Sequence, residues 1–192
     1  MKYWVGLSYV LVVCSLEEEC RAVINHMKTP LNFNPEQIYT GTYYTTHTKR
    51  GMTSWQSIST HFILLGPGRV KMWTTGASGG QCLRIVDFGT ITYNDTEPYK
   101  SMATAINSIF HIPYLSKDKQ AFILFGCAGN TNYDKACPDE YLFVEYYSRL
   151  RHLPAAIKQE FDGQLELLCT KPNEMDEISH SCKYLYIHLT LI

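Results

Sequence analysis

The chain has 192 residues, 45% of them hydrophobic, 13% aromatic and 18% charged, with a formal net charge of −1. That length suits a single domain, and the apolar fraction is too high for a disordered chain although charges are sparser than the roughly 25% of ordinary soluble proteins. Near-neutral charge without a basic tract offers nothing to neutralise phosphates, which argues against a nucleic-acid partner.

Residues 1–15 read as a secretory signal peptide. Lys2 supplies a short basic start, Tyr3 to Cys14 is almost wholly apolar, and Val13-Cys14-Ser15 places small residues where a cut after Ser15 needs them. The apolar run falls short of the roughly 20 residues of a membrane span, and Glu17, Glu18 and Glu19 follow at once. No later segment is long and apolar enough to anchor the chain in a membrane. The expectation is one extracellular domain over residues 16–192. Loss of Cys14 leaves Cys20, Cys82, Cys127, Cys137, Cys169 and Cys182, an even set in an oxidising compartment, so disulfides are expected and their pairing is open. No two of these cysteines stand in a C-x2-C or C-x4-C relation, so no metal site is expected. Asn94-Asp95-Thr96 is the single N-x-[ST] acceptor and predicts glycosylation at Asn94.

From Tyr39 to Tyr147 short strands alternate with turn residues. Gly41 to Lys49 is dense in Thr and Tyr, which suit a half-buried pleated surface. Gln56 to Leu65 closes on Gly66-Pro67-Gly68. Arg69 to Thr75 alternates, with Val70 and Met72 on one face and Lys71 and Trp73 on the other. After Gly76 to Gly80, Cys82 to Tyr93 predicts a longer strand with a bulge at Gly89. Met102 to Phe110 suits strand or helix by pattern, and its neighbours favour strand. Beyond Pro113, Gln120 to Cys127 and Tyr141 to Tyr147 are two further apolar runs. Ile157, Phe161, Leu165 and Leu168 then recur at helical spacing after Pro154, weakened at Gly163 and stopped by Pro172. Lys183 to Leu189 alternates as a final strand. Strands at such spacing predict an all-β antiparallel barrel or sandwich, with the helix packed against its outer wall.

The segment Phe33-Asn34-Pro35-Glu36-Gln37-Ile38-Tyr39-Thr40-Gly41-Thr42-Tyr43-Tyr44-Thr45-Thr46-His47 resembles the opening of the salivary lipocalins of blood-feeding triatomine bugs, the triabin and nitrophorin group. Gly41-x-Tyr43 stands where lipocalins usually carry G-x-W. Lys117 to Cys127, followed by Asp139 to Glu145, is similar to that group's last hairpin, with Asp118 as its acidic marker. Arg149 or Arg151 takes the place of the arginine that packs on the opening aromatic. The helix, Cys169 and Cys182 extend the likeness over nearly all of residues 16–192. The resemblance implies an eight-stranded up-and-down barrel of calycin type, with one C-terminal helix outside and a short final strand. It also implies a Cys20–Cys127 bridge. The group's second bridge has no cysteine at Ser54-Trp55-Gln56-Ser57 to start from; with Cys82 in that role it becomes Cys82–Cys182, and Cys137–Cys169 remains.

By the same resemblance the expected activity is capture of a small host mediator inside the barrel: a biogenic amine, a nucleotide or an eicosanoid. That would impair platelet aggregation or another arm of haemostasis, by a monomer secreted in saliva. The cavity candidates are His47, Trp73, Asp87, Phe88, Tyr141, Phe143 and Glu145, with Tyr147 beside them. Inward Asp87 or Glu145 would favour an amine cation, and inward Lys71 or Arg84 a nucleotide or carboxylated lipid. The alternative is an anticoagulant that binds a coagulation protease such as thrombin through surface loops, with the barrel filled. Haem is disfavoured, and no other cofactor is expected, because the nitrophorin axial histidine stands on the fourth strand while Cys82 to Tyr93 has none and His61 lies a strand too early. Catalysis is not expected, since no G-x-S-x-G, H-E-x-x-H or paired-carboxylate motif is present.

Overall fold

The computed structural model describes residues 27, 30, 33–66, 68–92, 100–103, 108–129 and 135–180, without the side chains of residues 92 and 100–103. A one-turn helix, α1 (Pro35–Ile38), precedes β1 (Gly41–Lys49), β2 (Gln56–Gly66), β3 (Arg69–Ser78), β4 (Gln81–Thr92), β5 (Lys100–Ala103), β6 (Ser108–Leu115), β7 (Ala121–Cys127) and β8 (Leu142–Ser148). Helix α2 (Ala155–Asp162) and a two-residue strand, β9 (Asp176–Glu177), follow. The signal peptide, Asn94, Cys20, Cys182 and the expected strand over Lys183 to Leu189 lie outside the described residues.

Strands β2 to β8 pair antiparallel in chain order. The sheet closes on itself through β1, which pairs with β2 over Gly41 to Tyr44 and with β8 over Tyr44 to Lys49. Strand β9 adds to β1 at His47 and Thr48, beyond the end of the β1–β2 pairing. Short α1 plugs one end. Its first turn is set by Pro35 and by the Glu36 N–H donating to the Asn34 side chain at 2.9 Å, and Ile38 and Tyr39 are buried behind it.

Two cores share the wall. Inside the barrel Tyr43, Phe62, Phe110, Phe122 and Tyr147 pack together, with Phe122 stacked on Tyr147 at 5.0 Å. Outside, Ile123, Phe125, Val144 and Tyr146 are covered by Phe161 of α2 and by Leu165 and Leu168 beyond it. Strand β7 is buried on both faces, which explains its unbroken apolar run where other strands alternate.

Several elements differ from the sequence reading. Gly89 pairs in register with Val70 and Ala103, so β4 carries no bulge there. The segment 102–110 is divided between β5 and β6, and Pro113 lies inside β6 where the register to β7 slips between His111 and Tyr114. A residue without an N–H fits a bulge better than a regular ladder. Helix α2 ends at Asp162, capped by Gly163, and Leu165–Leu168 continues as a 3-10 turn.

The disulfides differ too. Cys127 bonds Cys137, with their α-carbons 5.7 Å apart. Cys82 is free and exposed near the tip of the β3–β4 hairpin. Cys169 is disulfide-bonded, but not to Cys137. The pairings Cys20–Cys127, Cys82–Cys182 and Cys137–Cys169 are therefore all overturned. The reason for the first and last is local: Cys137 lies beside the end of β7, at the α-carbon spacing a disulfide requires, and takes Cys127 as its partner.

Candidate ligand-binding site

One end of the barrel is sealed. The Arg149 guanidinium lies 3.6 Å from the centre of the Tyr43 ring and donates to the carbonyls of Thr42 (3.0 Å), Thr40 (2.7 Å) and Gln37 (3.3 Å). Gly41, with φ +72°, leaves room for it, since a β-carbon there would press on the guanidinium. Arg151 instead stands over Tyr44 on the outer surface. Asp118 accepts from Ser116 Oγ (2.6 Å) and the Gln120 N–H (3.1 Å), which hold its carboxyl below the usual range and fix the β6–β7 turn. Lys119 ties that turn to Gln37 of α1.

Above this plug the barrel holds a cavity of about 350 Å³, within the range of small-molecule sites. Its wall is mostly apolar, from Phe62, Met72, Phe110, Leu124, Phe143 and Tyr147, with hydroxyls from Thr60, Thr74 and Ser108. Two carboxylates complete it, Asp87 from β4 and Glu145 from β8. Both are buried.

Glu145 is tightly held. It accepts from the Tyr147 hydroxyl at 2.8 Å and, at a long 3.5 Å, from Thr48. Burial pushes its carboxyl above the usual range, and bonds from Tyr147, Thr48 and the Met52 backbone only partly oppose this. The Tyr147 hydroxyl is raised as well, by burial and by the adjacent carboxylate. Gly51 passes directly over the site: a β-carbon there would overlap both the Glu145 carboxylate and the Thr48 hydroxyl. Neighbouring Phe143 lies flat on Gly126 of β7, where any β-carbon would overlap its ring.

The β1–β2 loop, from which Arg50, Gly51 and Met52 line the cavity, is anchored by two consecutive cations. Lys49 Nζ, almost wholly buried, pairs with Glu174 (2.9 Å) and Asp139 (3.3 Å) and donates to the Cys169 carbonyl (3.3 Å). Arg50 pairs with Asp139 at 2.6 Å. The loop is thereby fastened to the β7–β8 connection that the Cys127–Cys137 bridge closes.

Of the seven cavity candidates, the structure brings Asp87, Phe143 and Glu145 together and leaves four elsewhere. His47 shares sequence parity with Tyr43, but a bulge between Thr45 and His47 reverses it. The imidazole instead packs on Tyr146 at 5.4 Å near α2, where burial and Lys158 lower its pKa. Freed carbonyls at the bulge are satisfied by the 178–180 segment: Thr46 O accepts from the Ile178 N–H (2.8 Å), and Thr45 O bonds His180 Nε2 (3.0 Å). Trp73 and Phe88 lie on the outer face of β3 and β4, opposite Met72 and Asp87. Tyr141 is half exposed in a 3-10 turn before β8 begins. The sequence reading missed Met72, Thr60 and Thr74; the pairing of Trp73 with Lys71 on one face of β3 was the signal that the other face turns inward.

An antiparallel barrel closed by its first strand, plugged by a short helix and by an arginine on the opening aromatic, with a helix against its wall, is the lipocalin fold. No protein-family model and no curated protein sequence matches the chain. Among solved structures it is similar to the siderocalin Ex-FABP, described as functioning through dual ligand specificities, with a TM-score of 0.60 and 11% identity over 77% of this chain and 96% of that one. Apocrustacyanin C1 gives 0.59 and 12% over 79% and 82%, and lobster apocrustacyanin A1 gives 0.58 and 12% over 78% and 81%.

Proposed function

We propose that the protein is a secreted, monomeric lipocalin of salivary type that captures a small, largely apolar host mediator bearing a protonated amine, and so opposes platelet aggregation, vessel constriction or clotting. One observation carries the choice among mediators. Asp87 and Glu145 both face the cavity, whereas Lys71 and Arg84 stand on the outer wall with Trp73. An ammonium group entering an apolar chamber needs a carboxylate partner to replace its water. A nucleotide or carboxylated lipid would need the reverse arrangement. Arg50, the one cation on the lining among the described residues, is already paired with Asp139. Open volume above the plug supports a small-molecule ligand over a filled barrel that binds a protease through its loops.

The test is a calorimetric screen of serotonin, histamine, ADP, a thromboxane analogue, a leukotriene and haem, beside a thrombin-time assay. Binding of one amine per chain, with no heat from ADP or the carboxylated lipids, is expected. Silence from every small ligand together with a prolonged clotting time would move the assignment to a protease inhibitor. A Soret band on adding haem would contradict the argument from the strand-four position.

A further inference from the structure

The outer face of β2, β3 and β4 has a composition that neither the barrel core nor the cavity requires. Between residues 56 and 92 the only carboxylate is Asp87, and Asp87 faces inward. Outward-facing positions of the same strands therefore carry Arg69, Lys71, Arg84 and His61 with no acidic residue among them, in a chain whose overall charge is −1. The strand registers arrange them in transverse rows. His61, Trp73 and Val86 form one row, and Ile63, Lys71 and Phe88 the next.

Within these rows the rings and cations are interleaved. Trp73 stacks on His61 at 4.9 Å, Arg84 lies 5.1 Å from the Trp73 ring, and Lys71 reaches both Trp73 (5.3 Å) and Phe88 (5.7 Å). Apolar side chains project beyond them: Val86 and Phe88 are each 43% exposed and Leu65 is 48% exposed. No helix of the described chain covers this wall, because α2 packs on the β7–β8 side.

We propose that this face docks the protein on anionic lipid bilayers. Two chemistries coincide there. Cations that face no carboxylate among the described residues attract a negative surface potential, and aromatic and aliphatic tips beside them enter the headgroup boundary. A sulfated polysaccharide would use the cations but not Phe88, Val86 and Leu65. Single-stranded nucleic acid would need a free ring face for stacking, and Trp73 is already enclosed between His61 and Arg84. The surface is separate from the cavity, so a ligand-loaded barrel can be held at a membrane without obstruction of its binding groups.

The experiment is co-sedimentation of the full protein with vesicles of phosphatidylcholine alone and of an equal mixture of phosphatidylcholine and phosphatidylserine, at low and high salt. Binding is expected only to the mixed vesicles and is expected to fall with salt. A Lys71→Gln/Arg84→Gln double variant loses two surface cations, which predicts roughly 30-fold weaker partition. Phe88→Ser weakens binding while leaving its salt dependence in place. Unchanged thermal unfolding shows that each variant is folded. Absence of binding to the mixed vesicles, or undiminished binding of the double variant, overturns the proposal. So does retention on heparin, or dimerisation lost in Phe88→Ser, if the vesicles remain bare.

Discussion

Replacement of Arg149 by Met tests how the closed end is held. The guanidinium makes one ring contact at 3.6 Å and three hydrogen bonds, to Thr42, Thr40 and Gln37. A partly desolvated cation–π contact contributes about 1 kcal/mol. The bond to Thr42, which is partly buried, contributes about 1.5 kcal/mol as a charged donor, and the two exposed bonds roughly 0.5 kcal/mol each after allowance for competing water. The sum is about 3.5 kcal/mol. For a domain of this size 1 kcal/mol moves the midpoint by about 3 °C, so Arg149→Met is expected to melt roughly 10 °C lower. Thermal unfolding followed by circular dichroism, with urea titration for the free energy, measures it. Arg149→Lys retains the charge but not the planar fork, and is expected to recover less than half of the loss. A shift under about 2 °C in the Met variant, or full recovery by Lys, would refute the claim that this fork staples α1 to β1. Affinity for a cavity ligand is expected to stay unchanged, because Arg149 does not line the cavity.

Burial raises the Glu145 pKa above its unfolded value, so the folded state retains this proton to higher pH. The contribution to stability is greatest below the unfolded pKa and is lost as pH rises through the folded one. Glu145→Gln should therefore gain thermal stability relative to the parent between acidic and neutral pH; a gap that narrows instead would reverse the assignment. Amine affinity should fall as pH drops through the raised Glu145 pKa, and calorimetry on Glu145→Gln should show both weaker binding and a flatter pH profile. Gly126→Ala forces the Phe143 ring off β7 toward the cavity and is expected to destabilise by about 1–3 kcal/mol while weakening ligand binding; unaltered affinity by calorimetry would count against Phe143 as wall. Cys127→Ser/Cys137→Ser opens a loop of sequence separation 10, which predicts a loss of about 2.5 kcal/mol in urea unfolding.

Sequence pattern was sufficient wherever a strand obeyed period two between clear turns. Strands β1 to β4 and β8 are legible to within a few residues for that reason, β7 is legible instead as an unbroken apolar run between turn residues, and Asp87, Phe143 and Glu145 are legible as residues sharing a face with apolar neighbours. Pattern failed where a distant segment altered the backbone. Nothing near His47 signals the bulge that turns it outward, because the partners that satisfy the released carbonyls lie at Ile178 and His180. It failed also where parity was right but its origin was not: Trp73 and Phe88 alternate as expected, yet the face they occupy is the outer one. The family-derived bridges to Cys127 and Cys137 failed because the two cysteines, ten residues apart in sequence, meet at the end of β7 and bond each other.

The β1 bulge has a chemical consequence larger than its size. Strand parity allows a backbone to deliver a given side chain to either side of the wall by adding or removing one residue. Deleting Thr46 would restore strict alternation from Tyr43 onward, and by the same count His47 would keep its outward place beside Tyr146 and Thr48 its inward one beside Glu145. What the deletion would remove is the pair of released carbonyls at Thr45 and Thr46 that hold Ile178 and His180 against the wall, so one extra residue in the first strand acts as a clasp for the chain beyond α2.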